Sequence, residues 1–361
     1  MPFSKGKTLR VRNLPKETTR EDIRYMFNAE INGCEPIVGS LVKESRTSLC
    51  ATVTLKKKNH CRKACQVLNG SKFLATNGGG FREVHIDQDF LGITPLFEHK
   101  SPQFDYYFVH GLGGHAFEMF ATRLERGQHV EQKMWARDLL PTEFSNVGLR
   151  GRFSTIGYNA TVTGGSAGIT TIESAAMDLL DRLKHFRRKT LILAFDESNV
   201  ALKQTRFHLS NLVKGVVFMG TPFQGSFTAN TLEPFVKALE AINPFPVNAE
   251  LVGKLKANDP ELRALVEHFG QVRKRSNIEV KIYYETGRLG NALITKPDSA
   301  TASFGELGDP TSIDADHVNM VRFRTSGEEN FRAISNYLIE VTRRRGGFFL
   351  HRPMRRLFSS L

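Results

Sequence analysis

Two glycine-rich stretches hold the groups in this 361-residue chain best suited to covalent chemistry. Gly164-Gly165-Ser166-Ala167-Gly168 matches the Gly-x-Ser-x-Gly pattern, in which small neighbours let a serine sit on a strained turn and attack a carbonyl. No apolar strand feeds directly into it, so a plain flexible loop is the competing reading of Ser166. His110-Gly111-Leu112-Gly113-Gly114-His115 does follow an apolar run, residues 104–109. Its glycines allow backbone N–H groups to close on developing negative charge, whereas a phosphate loop would need a following Lys-Ser/Thr that is missing here. Cys34, Cys50, Cys61 and Cys65 lie in the same region as His60. A structural zinc site needs four converging ligands, commonly in short Cys pairs. Cys50 falls on a different element from Cys61 and Cys65, so buried free thiols are expected and no metal is predicted.

Composition frames these groups. A 40% apolar content with 30 glycines is that of a globular protein, and no run of about 18 apolar residues is available to span a bilayer. The first seven residues lack the apolar core of a signal peptide, and few cysteines in a long chain point to a reducing, intracellular compartment. The net charge of +13 favours polyanionic partners. Residues 1–89 carry 16 Lys/Arg against 9 Asp/Glu. A second basic cluster, Arg343-Arg344-Arg345 with Arg352, Arg355 and Arg356, is interleaved with Phe348, Phe349, Leu350 and Leu357 in a tail over 343–361. That tail is a solvated terminus in the plainer reading and lies on an anionic membrane surface in the other.

Residues 8–14 alternate as a strand and end at Pro15; Thr18-Thr19-Arg20-Glu21-Asp22 then caps a helix bearing Ile23, Tyr25, Met26 and Phe27. A second strand over 48–55, a helix over 61–68 and a last strand near 84–86 complete a small α+β, ferredoxin-like domain over 1–89, with Gly78-Gly79-Gly80 as a loop. This order, with Leu9-Arg10-Val11-Arg12-Asn13-Leu14 as its first signature strand, resembles an RNA-recognition motif. Such modules stack bases on sheet aromatics, but the stacking positions here hold Arg10, Cys50 and Thr52. Each missing platform forfeits about 1–3 kcal/mol per base. Attraction of RNA phosphates by Arg12 and Lys56-Lys57-Lys58 remains, salt-sensitive and unspecific. On the residues alone a docking or scaffold role is favoured over RNA.

After a linker at 90–103 the pattern changes. Apolar strands at 104–109, 152–158, 190–195, 213–219 and 280–284 are separated by helical segments such as 171–186, with Ile172, Ala175, Leu179, Leu180 and Leu183 at helical spacing. Largely apolar strands alternating with helices predict a mostly parallel sheet covered on both faces, in a domain over 104–342.

Several stretches of that domain are similar to the fungal serine esterase family of α/β-hydrolases, related to the serine-active-site-containing proteins of mitochondria and endoplasmic reticulum. They are Phe90-Leu91-Gly92-Ile93-Thr94-Pro95-Leu96, Val109 to His115, Trp135 to Pro141, Gly157-Tyr158-Asn159, Gly220 to Ser226 and Asp316 to Met320, in order over about 90–340. The resemblance implies an α/β-hydrolase fold, an oxyanion loop at His110, Gly111, Leu112 and Gly113 with Leu112 as donor, and His317 as general base. The acid would be Glu285, directly after its strand, or Asp298. The family's nucleophile slot falls on Asp196, between Phe195 and Glu197 with its small neighbours gone; Ser198 needs a two-residue slip, and Ser166 lies one unit too early. Phe223 stands where the family has histidine.

The sequence therefore leads to a hydrolase-fold protein with a degenerate nucleophile elbow, weakly active or inactive. The alternatives are an active esterase or lipase on ester or acyl-lipid substrates, and a nucleic-acid-binding adaptor acting through residues 1–89. No cofactor is implied, since this chemistry needs only side chains and backbone donors. The resemblance places the protein in the mitochondrion or endoplasmic reticulum, with the basic tail as a membrane contact; without it the expected compartment is the cytoplasm.

Overall fold

The computed structural model describes residues 6–111, 114–126, 129–158, 213–221, 260–288 and 310–346. Alternation in the first segment produces β1 (Thr8–Pro15), with Leu9, Val11 and Leu14 fully buried. The strand bulges between Val11 and Leu14, where Asn13 sits at φ 58, a left-handed conformation that asparagine tolerates. α1 (Arg20–Glu30) begins at a capping box: Thr19 accepts from the Asp22 amide at 3.1 Å, and the Asp22 carboxylate accepts from the Thr19 amide at 2.8 Å. Two strands, β2 (Ile37–Lys43) and β3 (Ser48–Thr54), precede α2 (Lys58–Val67); a hairpin of β4 (Lys72–Ala75) and β5 (Gly78–Glu83) and the short β6 (His85–Asp87) complete the unit. The antiparallel sheet runs β2-β3-β1-β6, and the buried faces of both helices, Ile23, Phe27, Cys61 and Ala64 among them, close one side of it. Full burial of side chains such as Phe27 contributes about 1.5–3 kcal/mol each.

This is the small ferredoxin-like domain expected from the sequence, with three added strands. The sequence pattern gives no sign of β2 or β4, and the Gly78-Gly79-Gly80 stretch belongs to β5 rather than to a loop.

Beyond it lie β7 (Gly92–Glu98), β8 (Phe104–Val109), the hairpin β9 (Ala121–Arg126) and β10 (His129–Met134), the short helices α3 (Trp135–Asp138) and α4 (Leu140–Asn146), and β11 (Gly151–Gly157). A second sheet has the order β7-β11-β8, antiparallel at β7 and parallel at β8. β12 (Gly215–Met219), β13 (Glu279–Glu285) and β14 (Thr311–Ile313) make a parallel sheet, with α5 (Pro260–Ser276) before it and α6 (Glu329–Gly346) after it. One aromatic-rich core serves both: Phe117, Phe144, Phe153, Trp135, Phe323 and Phe331 are all buried in it. The Tyr106 and Thr342 hydroxyls, 2.7 Å apart, tie β8 to α6.

The expectation of an α/β-hydrolase fold with a mostly parallel sheet is corrected. Among the described residues most strand pairings are antiparallel; the expected strands at 104–109 and 152–158, and at 213–219 and 280–284, do pair parallel, as β8 with β11 and β12 with β13, but in two separate three-stranded sheets. A continuously apolar run reports burial on both faces and not which strands share its sheet. β7, with its first five residues buried, is antiparallel to β11 and packs also against β2 and β3. The stretch 90–103, read as a linker, carries this strand. The predicted helix over 171–186 and strand over 190–195 lie outside the described residues.

Candidate nucleic-acid interface

In a strand, alternate residues face opposite sides. Leu9 and Val11 point to the helices, so Thr8 and Arg10 on β1, and Cys50, Thr52 and Thr54 on β3, belong to the opposite face. That face is closed by the chain's own next segment. Arg10 is 3% exposed. Its guanidinium donates to Asp87 at 2.9 Å from Nε, to the Leu91 carbonyl at 2.9 Å and to the Thr94 hydroxyl at 3.0 Å, and it lies 5.7 Å from the centroid of the Phe90 ring. Arg137, delivered by α3, donates to the Thr52 hydroxyl at 3.1 Å and is held on its other side by Asp138 at 2.7 Å. Gln132 on β10 accepts from Thr8, and the Ser40 and Thr52 hydroxyls are 2.7 Å apart. Gly39 makes room: a Cβ there would come within 2.0 Å of the Arg137 guanidinium.

Buried polar groups persist only when hydrogen-bonded, and these satisfy one another across the joint between the two regions. Cys50 and Thr52 are both fully buried, and burial pushes the Cys50 thiol up to about 12. The three positions that would stack bases are thus without rings and without access to solvent. Sequence reasoning recognised the missing rings but not the cover, whose residues lie some 80 positions away.

The exposed charge sits on the helical side. Lys57, Arg62 and Lys63 are exposed at the start and along the outer face of α2. Its first turn holds no acidic residue, and its N-cap, Lys57, makes no side-chain capping bond. Lys56 is paired with Glu35 at 2.5 Å. Burial, and then Lys57, Lys56 and Lys63, hold the His60 imidazole below its ordinary value.

Of the residues singled out for acyl chemistry, the structure brings two together. Glu285 ends β13 with a fully buried side chain, and one of its oxygens lies 3.3 Å from His317 Nδ1, four residues past β14. Gly220, at φ +63 after β12, admits the ring: a Cβ would sit 2.8 Å from it. Such a contact orients an imidazole and does no more by itself. Asp298, Asp196, Ser198 and Ser166, and Leu112 and Gly113 of the oxyanion loop, lie outside the described residues.

His110 is 4% exposed and stacks on Tyr158 at 4.4 Å with the rings parallel. Its Nδ1 lies 2.9 Å from the Gly111 carbonyl, while Nε2 accepts from the Tyr158 amide at 3.4 Å, which fixes a neutral tautomer. Burial lowers its pKa to about 4, against a partial upward pull from the Gly111 carbonyl. Because the unfolded chain protonates near 6.5 and the folded one does not, stability is full above that pH and falls as pH drops towards 4, by about 3 kcal/mol at about 1.36 kcal/mol per unit. Urea denaturation of the wild type and His110→Asn at pH 7 and pH 4 checks this: the variant loses that component of the acid sensitivity.

Residues 9–77 match the model of the RNA recognition motif family. Two solved structures of the third RNA-recognition domain of Mip6 are 26% and 27% identical to the aligned part; each alignment covers 24% of this chain and 98% of that domain, with a TM-score of 0.18. No curated protein matches the chain. The family match overturns the hydrolase, esterase and lipase reading, which rested on the spacing of short motifs, and it raises RNA above the docking role preferred on the residues alone. Residues 9–77 of this chain form an RNA recognition motif domain.

Proposed function

We propose that this protein binds single-stranded RNA through its N-terminal domain. The observation that carries the reading is the family match over 9–77, on a sheet of order β2-β3-β1-β6 backed by α1 and α2. With Arg10, Cys50 and Thr52 ringless and covered, base stacking on the sheet contributes nothing, and affinity comes from cations meeting phosphates. Such binding is salt-dependent and discriminates weakly among bases. Fluorescence anisotropy of the full chain with labelled 20-nucleotide oligo-U and oligo-A at 50 mM salt tests it: both bind, with affinities within a few-fold of each other. Absence of binding to either at that salt removes the reading.

A further inference from the structure

We infer that the RNA backbone runs along the outer face of α2, on Lys57, Arg62 and Lys63, and not across the sheet. The inference rests on the RNA-binding reading above and assigns it a surface. The sheet is excluded by its cover: Arg10 and Thr52 spend their hydrogen bonds on Leu91, Thr94 and Arg137 of the same chain. α1 is a poor alternative, because Glu21 and Asp22 occupy its first turn, Glu30 ends it, and Arg24 is paired with Glu21 at 2.6 Å. On α2 no acidic residue interrupts the sequence from Lys56 to Lys72. Arg62 and Lys63 stand on exposed positions, one helical turn and a half from the exposed Lys57 that precedes the helix.

Three phosphate contacts predict a slope of about −2 in log affinity against log salt, since each contributes about −0.7 on a single strand; this weakens binding about 20-fold between 50 and 200 mM. The test compares three full-length proteins with one labelled oligo-U over that range. They are the wild type, Lys57→Gln/Arg62→Gln/Lys63→Gln, and a control, Lys16→Gln/Arg24→Gln/Lys72→Gln, that removes the same charge from other surfaces of the domain. The α2 variant is expected to lose most of the slope and the control to keep it. A wild type that binds while both variants weaken equally, or while the α2 variant is unchanged, overturns the α2 surface and leaves RNA binding standing. A wild type that binds no RNA removes the underlying reading as well. Phosphatidylserine vesicles serve as a further arm: capture of the wild type by vesicles, lost in the α2 variant, with no RNA binding by either, assigns the ridge to a lipid surface instead and overturns the inference.

Discussion

Replacing Arg10 by alanine lowers stability by about 3 kcal/mol, read from urea or thermal denaturation of the full chain. Truncating one member of a buried, hydrogen-bonded ion pair costs roughly 3–5 kcal/mol, because the remaining partners stay in place without their counter-charge. Arg10 retains only 4% of its side-chain exposure, and its removal strands the Leu91 carbonyl and the Thr94 hydroxyl. Asp87 keeps 27% of its side chain exposed and is partly rehydrated, which places the cost at the low end of the range. Arg10→Lys keeps the charge but loses the planar fork that reaches three acceptors at once, so it recovers only part of the loss.

A second readout separates local opening from general weakening. Cys50 lies on the same covered face, and burial holds it as an unreactive neutral thiol. Arg10→Ala is expected to speed its modification by a thiol reagent, as mapped by peptide analysis, well before global unfolding. Arg10→Phe restores a ring at the stacking position, but that position is filled by the segment around Leu91 and Thr94. RNA affinity therefore does not rise. A substitution that increased oligo-U binding through position 10 would mean that the cover lifts in solution.

What could be read from the sequence divides along the range of the interactions involved. Leu9 and Val11 alternate with polar residues, and Thr19 stands three before Asp22, so β1 and the start of α1 were legible from neighbours a few positions apart. β2 was not, because Gly39 interrupts its pattern, and the need for that glycine comes from Arg137, almost a hundred residues on. The same distance explains Arg10 and Thr52. As residue types they read as a decayed RNA surface; in the fold they are polar members of an internal joint, satisfied by partners no local pattern reveals. The hydrolase reading failed for a related reason. Short motifs in the right order do not by themselves make a catalytic framework, and the apolar runs that pair parallel, β8 with β11 and β12 with β13, do so in two separate sheets. Glu285 and His317 do meet, a juxtaposition that their positions after consecutive strands allowed; the other members of the set fall outside the described residues.

Trp135→Ala is expected to cost about 3–5 kcal/mol, the range for deleting a large aromatic from a packed core. Trp135 is 2% exposed and meets Phe108, Phe323 and Phe331 edge-to-face at 5.1, 5.2 and 6.1 Å. Its Nε1 donates to the Val321 carbonyl at 2.9 Å, a bond that joins α3 to a segment 186 residues away. Alanine leaves both a cavity and an unpaired carbonyl. Trp135→Phe keeps much of the ring and loses the donor, so its cost falls to about 1–3 kcal/mol, the penalty of one unsatisfied buried group. Because this is the only tryptophan, its emission in the wild type follows unfolding of this core directly. The variants are followed by circular dichroism. α3 also carries Arg137 onto Thr52, so the two cores are mechanically linked: loosening Trp135 withdraws the cover from the RNA-recognition sheet. Faster Cys50 labelling in Trp135→Ala, in denaturant concentrations where the N-terminal helices remain folded, is the expected sign of that link. An unchanged labelling rate alongside a large loss of stability would mean that the segment from β7 to α3 stays seated on the sheet without the core behind it.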